Sequence, residues 1–190
     1  MHSIPYGNRG LKYNCQWERK AMQKQVKYEK AIKTKYPEQV VIAIARDKSG
    51  KANPVTLGWT MIASYEYEPF LMAIGVYKGH YTVKCIRHSK CFTLVYPSAD
   101  MAKAALFFGS HSGRDTDKLS EFSCRTRPAK KIDSVLLTDA VANFECKLLK
   151  QVPTGDHITF FGKVVCSHVN TKHKKRLYSL GTGHKLGPAR

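Results

Sequence analysis

Apolar and polar positions along this chain fall into short runs, many alternating with the period of a strand, separated by Gly, Pro, Asn and Asp. Residues 40–45 are a compact β-branched and alanine run, followed by the turn chemistry of Asp47-Lys48-Ser49-Gly50. Residues 70–77 and 92–96 read as further strands, the second closed by Pro97. A short apolar run at 135–137 comes next. Phe144, Cys146 and Leu148 then alternate with Glu145, Lys147 and Leu149. After a turn at 152–156, Ile158, Phe160, Gly162, Val164 and Cys166 alternate again, which predicts an antiparallel hairpin. Helical stretches are few. Residues 83–88 form one, with Thr82 as its N-cap. Ser98 caps another through Ala102, Ala105 and Leu106, with Asp100 in its first turn and Gly109 just past its end. Short strands with turn signals and few long helices predict a mainly β antiparallel barrel rather than βαβ units.

The N-terminal part differs. Residues 1–14 are polar and irregular, and a Lys/Gln/Glu-rich helix is predicted over about 16–35, ended by Pro37. Trp17, Ala21, Tyr28 and Ile32 share one stripe at helical spacing, which predicts packing against the barrel rather than a membrane or nucleic-acid contact. The expected organisation is an arm and basic amphipathic helix over 1–36, and one barrel domain over 37–190.

Charge narrows the choice of partners. The formal net charge is +18, with nine Lys or Arg against two Glu in residues 1–36 and six against no acid in residues 168–190. Attraction to an anion follows. The basic residues are spread and do not cluster with aromatics as a nucleic-acid stacking platform requires, so no nucleic acid is expected as a partner. No apolar run approaches the length of a membrane helix and the start resembles no signal peptide, so a cytoplasmic protein without a membrane contact is expected. Six scattered cysteines lack a Cys-x-x-Cys pair and read as reduced thiols. Cys146 and Cys166 read as small core residues. Cys85, His88 and Cys91 lack a fourth ligand, and no metal is expected.

Two polar stretches carry the candidate chemistry. In the first, residues 53–64 form a glycine-containing loop with Thr56, Leu57, Gly58, Trp59, Thr60 and Ser64, and strand 70–77 ends in Lys78-Gly79-His80-Tyr81-Thr82 at a helix start. Backbone donors in the loop suit the polar edge of a flat ring. Free amides of a first helical turn beside Lys78 and His80 suit a phosphate. Together they read as a flavin mononucleotide (FMN) site, against the plainer reading of a strand-edge turn with a core Trp59. In the second, residues 110–118 hold Ser112, Gly113, Arg114 and Lys118. Either Arg114 and Lys118 approach a phosphate, or Arg114 pairs with Asp117 at the surface. No P-loop and no nucleophile elbow is present, and Gly181-Thr182-Gly183 lacks a crossover helix after it. His111 and His157 are not assigned as acids, because flavin ring nitrogens and solvent can handle the proton, so no catalytic side chain is named.

The ordered set Asn53, Thr56-Leu57-Gly58-Trp59-Thr60-Met61, Pro69, His80-Tyr81-Thr82, Ile86, Ser112-Gly113-Arg114-Asp115-Thr116-Asp117-Lys118, Phe144-Glu145-Cys146, Gly155-Asp156-His157 and Gly162-Lys163-Val164 resembles the flavin reductase-like family, including the flavoredoxins. The likeness spans roughly residues 37 to 187; His80 stands where many relatives carry Arg. The resemblance implies the FMN-binding split β-barrel, a Greek-key-type antiparallel barrel. It also implies a homodimer with flavin near the subunit interface, and a C-terminal tail near the flavin that would bring His184 and Lys185 close. The implied activity is NAD(P)H:flavin oxidoreductase chemistry, with hydride passing from nicotinamide to flavin and on to an acceptor. The alternative is a flavoredoxin-like electron carrier supplied by a redox protein such as ferredoxin.

Overall fold

The computed structural model describes residues 23–188, and the chain divides after Thr34 into two units. Residues 16–22 of the expected N-terminal helix lie outside the described part. Of the remainder, only α1 (Tyr28–Ala31) and a 3-10 turn (Ile32–Lys35) are helical. No side chain caps α1, and Tyr28 and Ile32 of the expected stripe are exposed. Over the described residues the expected helix is therefore confined to 28–35, one α turn continued by one 3-10 turn.

The second unit is mainly antiparallel β, as expected. Its strands begin with β1 (Glu38–Gln39), β2 (Val41–Arg46), β3 (Ala52–Leu57), β4 (Thr60–Ser64) and β5 (Leu71–Tyr77). Next come α2 (Tyr81–Ser89), β6 (Cys91–Tyr96), a 3-10 turn (Ala99–Met101), α3 (Ala102–Ser110) and α4 (Lys118–Glu121). The chain finishes with β7 (Thr126–Pro128), β8 (Val135–Leu137), β9 (Ala142–Thr154), β10 (His157–Val169), β11 (Leu177–Gly181) and β12 (Lys185–Pro188). Seven strands form one sheet in the order β3-β2-β6-β9-β10-β5-β4, and β1-β11-β12 and β7-β8 form two small ones. The outer strands of the large sheet, β3 and β4, follow one another in sequence, so Gly58-Trp59 must bridge its two edges. Pro54, which cannot donate to a ladder, sits on the edge strand β3.

Burial explains the strand patterns. Val41, Ala43 and Ala45 of β2 pack with Phe92, Leu94 and Phe160 on one side of the sheet. Ile42 and Ile44 pack with Val95, Ala105 and Phe108 on the other. A strand covered on both faces has no polar side to show, which is why residues 40–45 read as an unbroken apolar run. β9 and β10 form the expected hairpin, but their ladder reaches Thr154↔His157, so the turn shrinks to Gly155-Asp156. Cys146 is core, as expected, whereas Cys166 is only half-buried.

Several local expectations are corrected. The loop at 53–64 is mostly strand, β3 and β4, because Val55, Thr56, Leu57, Thr60 and Ile62 suit a ladder better than Asn53, Pro54 and Gly58 oppose it. The N-cap of α2 is His80, and Thr82 lies in the first turn with its hydroxyl accepting from Asn53. Gly109 is inside α3 rather than beyond it, and Ser98 stands at the cap position of the preceding 3-10 turn without a side-chain bond.

Gly162 is where β10 crosses the core most tightly. A Cβ there would stand 2.7 Å from both Cys146 Cβ and Phe92 Cζ. Gly162→Ala is expected to cost about 1–3 kcal/mol in urea unfolding, through overpacking. Gly155→Asn, in an open turn at φ +61°, should change stability little.

Candidate functional site

The sequence-predicted residues gather around two cavities. The first, ≈360 Å³, lies where β3, α2 and the loop after α3 meet, and His80, Tyr81, Thr82, Ser112, Gly113, Arg114 and Lys118 line it with Asn53. The second, ≈660 Å³, has Gly58, Trp59 and Thr60 in its wall, with Gln39, Gly75 and His157. A series of rings connects them. Trp59 lies 4.2 Å from His157 between centroids, His157 5.7 Å from Tyr77, and Tyr77 5.6 Å from His80. Gly79 makes room for the series, since a Cβ there would meet Tyr77 Cε1 at 2.6 Å.

The first cavity is built for negative charge. Lys118 is 2 % exposed, yet no acidic group pairs with it among the described residues. Its ammonium donates to the carbonyls of Phe108 (3.1 Å) and His111 (3.2 Å) at the C-terminal end of α3. These bonds cap α3 and engage two of the three ammonium donors. Burial pushes the Lys118 pKa down to about 8, against the opposing pull of Cys85. Burial, then the charges of Lys118 and His157, also hold His80 below its ordinary range, so at pH 7 His80 is a neutral hydrogen-bonding group. The buried positive charge at this cavity is therefore Lys118.

Asn53 adds an unused acceptor. Its Nδ2 donates to Thr82 Oγ1 at 2.9 Å, while its buried Oδ1 has no partner. Gly113 closes over it, and a Cβ at Gly113 would fall 1.9 Å from that oxygen. Arg114 is exposed with its guanidinium 5.7 Å from the Tyr81 ring. The alternative pair with Asp117 is not formed, because Asp117 Oδ1 caps α4 by accepting from Ser120 N. An orphaned buried acceptor and an unpaired buried ammonium fit a ligand that carries hydroxyls and an anion.

Other expected residues serve the fold. Thr56 donates to the carbonyl of Ala105, locking β3 to α3, and Leu57 is core. Ser64 donates to Tyr67 O, and the Lys78 ammonium to Gly155 O. His184 lies in the turn between β11 and β12, Lys185 opens β12, and neither lines either cavity. Gln39 was not legible as a site residue. It donates to Thr60 O at 2.6 Å and accepts from Arg176 at 3.2 Å. Those partners are distant in sequence and leave no local signal.

The family model described as "Flavin reductase like domain" matches residues 33–186. The chain belongs to the flavin reductase-like family. An uncharacterized protein of Archaeoglobus fulgidus is 28% identical over 115 residues, which cover 60% of this chain and 64% of that relative, just under two thirds of its length. In structure, the flavoredoxin of Methanosarcina acetivorans superposes with a TM-score of 0.69 at 24% identity, covering 80% of this chain and 77% of that one. The Streptomyces globisporus NADH:FAD oxidoreductase superposes with a TM-score of 0.74 at 18% identity, covering 88% and 98%. Both likenesses are of fold.

Lys118 makes stability depend on pH in a way that can be isolated. Its folded pKa, about 8, lies below the ordinary 10.5, so between these values the unfolded chain binds the extra proton and stability rises with pH. Above about 9 the Cys85 thiol, pushed up to about 11, acts in the opposite sense. Between pH 8 and 9 the wild type should gain up to about 1.4 kcal/mol relative to Lys118→Met, measured by urea unfolding at each pH.

Proposed function

We propose that this member of the flavin reductase-like family binds FMN along β3, phosphate end at Lys118 and ring end at Trp59, and accepts hydride from NAD(P)H. The observation that carries the reading is the unpaired, buried Lys118 ammonium beside the orphaned Asn53 Oδ1, joined to the second cavity by the ring series. Asn53 and Gly58 are five residues apart, about 16 Å along a strand, a span suited to an extended ribityl phosphate with its ring.

In this arrangement Lys118 holds the phosphate with its third N–H. The first-turn amides of α2 and the Ser112 hydroxyl supply neutral donors. Asn53 Oδ1 accepts from a ribityl hydroxyl. β3 is an edge strand, so alternate backbone donors and acceptors lack a ladder partner and can meet the ring's polar edge. Bound FMN supplies the hydride acceptor, a chemistry no side chain offers. Trp59, half exposed over Gly75, borders the ring and leaves room for a nicotinamide. A homodimer with the flavin near its interface belongs to the same proposal, as does a location in the cytoplasm.

The charge of +18 favours a second reading, an electron carrier fed by an acidic redox protein such as ferredoxin. The name of the Streptomyces relative points to NADH, that of the Methanosarcina relative to a carrier.

The purified protein should be yellow and release FMN on heating; a colourless protein that rejects added FMN overturns the proposal. Stopped-flow bleaching by NADH or NADPH supports the reductase, and bleaching by reduced ferredoxin alone supports the carrier. Affinity for FMN should fall as pH rises above about 8, where Lys118 loses its proton, while riboflavin, without a phosphate, should show no such fall. Gly113→Ala should weaken FMN binding while leaving far-UV circular dichroism intact.

A further inference from the structure

A carboxylate, a thiol and an imidazole meet on the β9–β10 ladder, and none of them lines either cavity described above. Cys166 and His168 are two residues apart on β10 and so share a face, and Cys166 stands directly opposite Glu145 of β9. Cys166 Sγ is 3.4 Å from His168 Nε2, and Glu145 Oε1 is 2.6 Å from the same nitrogen. One ligand atom from each residue lies within 4.8 Å of the others. Atoms sharing a zinc ion at about 2.0–2.3 Å each are separated on this scale.

We infer that Glu145, Cys166 and His168 form a binding site for a zinc-type divalent cation, with water as the fourth ligand. The donor set of one thiolate, one imidazole and one carboxylate is of the borderline-soft kind that selects zinc over magnesium or calcium. Charge balances as well: a divalent ion with one thiolate, one carboxylate and a neutral imidazole is neutral, which suits a site where Glu145 is wholly buried. Glu145 is already oriented, accepting from the amides of Lys130 (2.9 Å) and Lys131 (2.6 Å). Such outer bonds position metal ligands.

Loading moves protons in a defined way. Arg127 Nη2 donates to His168 Nδ1 at 3.2 Å, so the ring proton sits on Nε2 and points to Glu145. Binding requires Nε2 bare. The ring proton then shifts to Nδ1, Arg127 swings away, and the Cys166 thiol releases its proton to solvent, one per ion. Arg127 lies on the fully exposed strand β7, free to move. Its charge opposes the cation, so Arg127→Gln should tighten binding.

The test uses the full-length protein after chelator treatment, titrated with Zn²⁺ against a colorimetric chelator and with Co²⁺ in difference absorbance. One ion per chain is expected, with a thiolate-to-cobalt charge-transfer band and uptake of one equivalent of base per ion. Cys166→Ser should abolish the band and weaken Zn²⁺ binding beyond the roughly 10–100-fold that loss of an outer partner costs. Cys124→Ser, another half-buried cysteine, should retain both. Glu145→Gln risks the fold, so the two cysteine variants carry the comparison. Failure of the wild type to bind, or equal binding by Cys166→Ser, overturns the inference. Neither outcome depends on flavin.

Discussion

The long hairpin of β9 and β10 is the constraint on which the rest of the second unit hangs. β10 pairs with β9 on one side and β5 on the other, while β9 also pairs with β6. One ribbon thus joins the β2–β3 half of the sheet to the β4–β5 half. It succeeds only because Gly162 lets β10 pass against Phe92 and Cys146 without a side chain of its own. Its turn end sets His157 opposite Tyr77 in register, which places the imidazole among the rings of the candidate site. Its opposite end gathers Glu145, Cys166 and His168. The position of His157 in the second cavity and the meeting of Glu145, Cys166 and His168 thus follow from one register.

The second organising feature is a charge held almost wholly out of solvent. An unpaired ammonium in a protein interior is costly, and Lys118 lowers that cost by donating to the end of α3. Its depressed pKa is a measure of what remains. A phosphate at the cavity would relieve the same penalty, so ligand affinity and local electrostatics are linked through one proton. His80, neutral beside it, contributes shape and hydrogen bonding rather than charge.

Much of the architecture was legible in the chain. The alternation from Phe144 to Cys166 announced the hairpin, and residues 40–45 announced a strand, because burial on one or both faces imposes a pattern on neighbouring residues. The polar stretch 53–64 misled, since Asn53, Pro54 and Gly58 look like loop chemistry when an edge strand tolerates all three. The N-terminal helix misled over residues 23–27, which are not helical, because helical spacing of apolar residues is necessary for an amphipathic helix but does not supply its nucleation.

By itself, then, the sequence determined the strands β2, β5, β6, β8, β9 and β10, the antiparallel class, the family and the two segments that meet at the first cavity, because each is written in local periodicity or in an ordered motif. Tertiary structure alone decided which members of those segments face the cavity. Thr56 turns to Ala105 and Leu57 to the core, while Lys118 is buried beside Asn53 and Gly113. It also decided that Gln39, Glu145 and His168 have partners far along the chain. Contacts between distant residues depend on register and packing, which no window of neighbouring residues encodes.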